Sequence, residues 1–94
     1  MSILVRFHPR NLTAQQYDEV VRREKEDLGD RFPPDGRDYH VCFGTDGDLR
    51  VSEIWDSPEK LQAYYEILMP VIAEVGVELS AEPEIVEVYN IERR

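Results

Sequence analysis

The sequence predicts an α+β fold in the order strand, helix, strand, strand, helix, strand. Three observations carry that reading. A β-rich opening, Ile3 to Phe7, gives way at Thr13 to a helical pattern. Two strand-like runs, Tyr39 to Phe43 and Leu49 to Trp55, flank Thr45-Asp46-Gly47-Asp48, and an Asp-Gly pair between apolar runs is a strong hairpin signal. Ser57-Pro58 then opens a second helical stripe that stops at Gly76.

Each element has its own local logic. In the opening strand Ile3, Val5 and Phe7 share one face, while Leu4, Arg6 and His8 share the other. Thr13 with Gln16 three positions on is a capping-box pattern, and Tyr17, Val20, Val21 and Leu28 continue it as an apolar stripe ending near Gly29. The mixed-sign run Arg22 to Asp27 reads as the solvated face of that helix. Asp30 to Arg37 holds Pro33-Pro34-Asp35-Gly36 and must be a loop. The second helix, Pro58 to Val75, carries Leu61, Tyr65, Leu68, Ile72 and Val75 on its stripe. Pro70 inside it either kinks the helix and opens room beneath, or marks the start of a separate short helix. Ile85 to Ile91 closes the chain as a strand. The order βαββαβ predicts a ferredoxin-like antiparallel sheet with both helices on one face, in one domain spanning 1–94.

Both faces of that sheet carry apolar side chains, and a sheet apolar on both sides needs two covers. The helices supply one; a second copy of the chain is the expected other, giving a homodimer. Twenty acidic against 11 basic residues leave a net charge of −9. That balance argues against nucleic acid and against anionic membrane surfaces, both of which select a basic face. No segment is long and apolar enough to span a bilayer. Cys42 is the only cysteine, so no internal disulfide forms, and a reducing, cytoplasmic setting is expected.

Few side chains carry chemistry. His8 and His40 are the candidate catalytic residues, since a neutral imidazole is a natural general base. Strand parity and order suggest that they share a face about 10 Å apart, suited to two sides of one small ligand; the alternative is two strand-end histidines bonded to neighbours or water. No ligand spacing points to a metal. Cys42 reads as a small buried strand residue, and Asp56 and Glu59 as complements to the positive end of the second helix. Glu53 and Glu87 read as edge carboxylates or as partners of Arg50 or Arg6, and Trp55 as the anchor between hairpin and helix.

The run Glu53-Ile54-Trp55-Asp56-Ser57-Pro58-Glu59, with the element order and the length, resembles the dimeric α/β-barrel superfamily and its antibiotic-biosynthesis-monooxygenase-like branch. The resemblance implies a dimer whose sheets form an α/β barrel, and a cavity between sheet and helices in each protomer. It does not imply one reaction, because members include cofactor-free oxygenases, haem-degrading enzymes, isomerases and cyclases. The oxygenase and haem-degrading members usually carry a histidine on or just after the second helix. Here Pro58 to Gly76 contains none, so no haem ligand and no cofactor is expected. The resemblance implies a pocket-lining role for Tyr64, and the expected ligand-binding residues are Arg6, Trp55, Tyr64 and Met69. Two functions stay open. The favoured one is binding of a small hydrophobic or aromatic molecule without catalysis. The alternative is a cofactor-independent monooxygenase, cyclase or isomerase acting on an aromatic or polyketide-like substrate.

Overall fold

Alternation along the first strand sets the architecture. Ile3, Val5 and Phe7 are all buried, while Arg6 between them is exposed, so one side of this strand faces the core. In the computed structural model, which describes all 94 residues, the elements are β1 (Ile3–Phe7), β2 (Pro9–Arg10), α1 (Ala14–Leu28), β3 (Arg37–Thr45), β4 (Asp48–Trp55), α2 (Pro58–Val75), β5 (Glu78–Leu79) and β6 (Glu84–Glu87). A single 3-10 turn, Gly29–Arg31, follows α1. The main sheet has the order β3-β4-β1-β6 and is antiparallel throughout. The arrangement is the expected α+β ferredoxin-like one, and both helices pack on the face that carries Val5, Val51 and Trp55.

The helix ends follow their caps. Thr13 Oγ1 accepts from the Gln16 amide at 3.0 Å and Gln16 Oε1 accepts from the Thr13 amide at 3.0 Å, satisfying two otherwise orphaned donors. Ser57 Oγ accepts from the Lys60 amide, Pro58 takes the first turn, and Gly76 ends α2 in the left-handed region at φ 87°. A proline suits the first turn because its missing N–H has no intrahelical partner there anyway. α2 runs unbroken through Pro70, which removes the reading of a separate short helix beyond it.

Two expectations are corrected and one element is added. The hairpin strands reach further than Tyr39–Phe43 and Leu49–Trp55, closing down to a Thr45↔Asp48 pair around Asp46-Gly47. The last strand is shorter, Glu84–Glu87 rather than Ile85 to Ile91. Its register explains why: Glu87 lies opposite Ile3, the first residue of β1, and one further bond joins the Val88 amide to the Ser2 carbonyl. Beyond that point β6 has no partner, and Tyr89 stands fully exposed. In the added element β2 and β5 pair as a two-stranded ribbon, Pro9↔Leu79 and Arg10↔Glu78, at the end of the molecule where α2 finishes. No helix is long and apolar enough to cross a membrane.

Candidate acid–base site

Beneath the helices lies a cavity of about 60 Å³, walled mainly by apolar side chains. α1 contributes Tyr17, Val20 and Glu24, which fall on one stripe because they are three and four residues apart. β4 contributes Val51 and Glu53 from the alternation that also buries Trp55. β3 contributes His40, which pairs with Glu53 in register. Tyr64, Leu68 and Ile72 of α2 form the roof. Val77 and Leu79, next to and within β5, stand at one end.

Into this apolar setting the chain places a connected polar network. Glu53 is only 3% exposed, yet both carboxylate oxygens are occupied. Oε2 accepts from His40 Nδ1 at 2.6 Å and from Arg37 Nη1 at 3.1 Å, and Oε1 accepts from Trp55 Nε1 at 3.0 Å. Arg37 reaches the site because a register irregularity between Arg37 and Tyr39 sets it opposite Trp55; its side chain is 6% exposed. A buried charge pair of this kind holds only when its hydrogen bonds are complete, and here the indole and imidazole complete them. Because Nδ1 must donate to the carboxylate, His40 Nε2 is left as an acceptor, and the Tyr17 hydroxyl donates to it at 2.6 Å. Burial, with the neighbouring Cys42 and Glu24 adding to it, pushes the Tyr17 phenol up to about 12. Tyr17 therefore keeps its proton unless His40 takes it. Tyr17, His40 and Glu53 thus form one hydrogen-bonded chain along which a proton could pass, with the carboxylate orienting the imidazole.

On the opposite wall Glu24 is buried and accepts a hydrogen bond from the Tyr64 hydroxyl. Burial raises the Glu24 carboxyl above the usual glutamate range, against the lowering effect of Tyr64 and Arg37. The Tyr64 phenol is raised for the same first reason. Tyr64 also stacks against Trp55, with ring centroids 5.2 Å apart.

The residues singled out from the sequence separate into two groups. His40 and Tyr64 line the cavity. His8 does not join them. It follows the face of Arg6, away from the helices, whereas His40 shares the helix-side face with Cys42 and Glu53. The two histidines thus sit on opposite sides of the sheet, because parity within separate strands says nothing of their relative face until the register is fixed. His8 is half exposed and bonds Asp48 Oδ1 at 3.1 Å, and that bond holds the Asp48 carboxyl below its usual range. Arg6 lies on the same outer face, 3.8 Å from Glu84. Trp55 is fully buried in the core, reaching the site through its bond to Glu53. Met69 packs against the edge of the core and lies outside the cavity lining.

Glu53 is not an edge carboxylate but a buried one, and Arg6 pairs with Glu84 rather than Glu87. Glu24 likewise leaves the solvated run in which it stands. Its neighbours Arg22, Arg23 and Glu26 pair on the surface, while Glu24 continues the stripe Tyr17, Val20, Glu24, Leu28. That spacing was the available signal. Tyr17 and Arg37 gave none beyond a stripe position and a loop end.

No protein-family model matches the chain and no curated protein matches it in sequence. Solved structures do match. SnoaB, a cofactor-independent oxygenase from Streptomyces nogalater (mutant N63A), aligns with a TM-score of 0.62 over 96% of this chain and 93% of its own, at 12% identity. A Chloroflexus aurantiacus J-10-fl protein provisionally named an antibiotic biosynthesis monooxygenase aligns with a TM-score of 0.58 over 98% and 95%, at 19% identity. A structural-genomics protein, YJCS, gives a TM-score of 0.63 over 94% and 99%, at 11% identity. The chain has the ferredoxin-like fold of the antibiotic-biosynthesis-monooxygenase-like proteins, and at these identities the likeness is one of fold.

Proposed function

We propose that the protein is a cofactor-independent acid–base enzyme acting on a small apolar, aromatic-type molecule. The observation that supports this most is the Tyr17–His40–Glu53 relay within an apolar cavity, with both hydrogen bonds of the imidazole at 2.6 Å. A fixed imidazole with a carboxylate behind it and a hydroxyl in front is suited to take a proton from an acidic O–H or C–H. Such a step needs only side chains that the chain itself supplies. SnoaB, a fold neighbour, is a cofactor-independent oxygenase, which is consistent with this fold hosting chemistry of that kind. Of the expected ligand-binding residues, Tyr64 stays in the site as a wall, and Trp55 supports it from behind. His8, Arg6 and Met69 belong to no part of the proposed reaction.

The second reading is binding without catalysis, and the mainly apolar lining of the cavity favours it. The cavity of about 60 Å³ is the space of roughly two water molecules. On the catalytic reading it receives only the reacting end of the substrate, while the apolar body lies along Val21, Ile72, Val77 and Leu79.

The outer face of the sheet supports a homodimer, and the single free thiol, Cys42, supports a reducing compartment such as the cytoplasm.

The test is turnover of a panel of small phenols and ketones, followed by mass and NMR, with H40Q beside the native chain. General acid–base catalysis contributes about 10²–10⁴-fold, so H40Q is expected to lose a factor of that order while titration shows little change in binding. Ligands that bind both proteins and are converted by neither would leave the binding reading standing alone.

A further inference from the structure

Two carboxyl groups face one cavity, and the chain treats them in opposite ways. Glu53 accepts from Arg37, His40 and Trp55. Glu24, 5% exposed, accepts at Oε1 from one neutral donor, the Tyr64 hydroxyl. No cation pairs with it, since Arg22 and Arg23 turn outward to Glu19, Glu26 and Glu74. The charged or titratable groups facing Glu24 are Tyr17 from its own helix, Tyr64 from α2, Arg37 and His40 from β3, and Glu53 from β4. Two carboxyl groups held in environments this different are suited to different roles, one fixed among three donors and one presented to the cavity with a single neutral partner.

We infer that Glu24 is the proton donor facing the His40 relay, and that the site therefore takes an enolisable carbonyl compound and moves a proton between its α-carbon and its oxygen. The inference rests on the acid–base reading of the relay and names its substrate class. Tyr64 is a positioning residue: its bond to Oε1 fixes the Glu24 carboxyl in the cavity wall. In the forward step the carbonyl oxygen takes the Glu24 proton. The α-proton passes to Tyr17 Oη while the Tyr17 proton moves to His40 Nε2. The C–H pair becomes the C=C bond, and the carbonyl π pair becomes the new O–H bond. The products are the enol, a Glu24 carboxylate and an imidazolium bonded to Glu53. No electron leaves the substrate, so no oxidant takes part, and the reverse step restores both protein groups. The size of the cavity agrees with this. Benzene occupies an engineered cavity of about 150 Å³, so the smaller space here suits a carbonyl group and its nearest carbon.

Two measurements test it. Carboxyl-labelled glutamate in the folded protein at neutral pH is expected to give one NMR signal at the protonated position, absent in E24Q and present in E24D; its absence from the native chain overturns the inference. Second, 2-butanone is incubated with the protein in D2O and loss of its α-proton signal is followed. The native chain is expected to accelerate exchange, E24Q to lose about 10²–10⁴-fold of that, and E24D to recover part. Undiminished exchange in E24Q overturns the role of Glu24, and if H40Q still loses activity the relay survives. His40-dependent conversion of phenols without any exchange of butanone overturns the carbonyl class alone. Exchange lost in E24Q but not in H40Q supports Glu24 and removes the relay. The NMR signal needs no variant to fold except as its assignment.

Discussion

Tyr65 shows what an unmatched polar atom costs. Its ring packs edge-on against Phe7 with centroids 6.0 Å apart, but its hydroxyl is buried with no partner, and burial pushes the phenol up to about 12. Leaving such a group unpaired costs about 1–3 kcal/mol. Y65F is therefore expected to stabilise the fold by an amount in that range, read from urea unfolding; a loss of stability would mean that the hydroxyl is bonded to water in solution. Glu24 sets a pH dependence of definite sign. Its folded value is raised by burial, so the stability it contributes is complete below the unfolded glutamate value and is lost as pH rises through the folded one. E24Q is expected to flatten the fall in unfolding free energy across that window, when stabilities of the two proteins are compared from acid to neutral pH. Residues such as Glu24 and Glu53 were the least legible part of the chain. Their charge argues for solvent, their stripe or parity argues for the core, and the decision rests on donors such as Tyr64 and Arg37 that are 40 and 16 residues away in sequence.

Elements were far more legible, because their ends are decided locally. Thr13 with Gln16, Ser57 with Pro58, and Gly76 each fix a terminus through bonds within four residues, and so the helices read correctly from sequence. The last strand did not, because its end is set by where β1 begins, a fact of pairing. The hairpin lies between these cases. Asp46-Gly47 marks the turn, but the turn also fastens the start of α1, since Asp46 Oδ1 accepts from the Ala14 amide at 2.9 Å. Gly44, just before the turn, has φ 108°, and a Cβ there would meet the Asp48 carbonyl oxygen at 2.7 Å. No L-residue relieves both strains, and backbone strain of this kind costs about 1–3 kcal/mol. G44A is expected to destabilise the protein by that order, measured by thermal or urea unfolding. An unchanged midpoint would show that the hairpin yields without disturbing α1.

At the scale of the whole molecule, one side of the sheet is still without a cover. Tyr39 pairs with Ile54, Ile54 with Leu4, and Leu4 with Val86, which draws one row of apolar side chains across all four strands on the face away from the helices. Tyr39 is 49% and Val86 45% exposed, and Phe43 and Val41 extend the patch along β3. A contiguous apolar face on a small domain marks an association surface, and the flanking Arg6–Glu84 and His8–Asp48 pairs give it a polar border of both signs, as a self-complementary interface requires. The chain is accordingly expected to sediment at twice its 11.0 kDa mass. I54K puts a charge at the centre of the row while leaving the helix-side core untouched, so it is expected to yield a folded monomer. A native chain that sediments at 11.0 kDa at micromolar concentration, or an I54K dimer, would show that this face is not where two copies meet. The cavity lies on the opposite side of the sheet, so an I54K monomer should keep the Tyr17–His40–Glu53 network intact. Lost activity in a folded monomer would then mean that the partner holds the helices in place over the site.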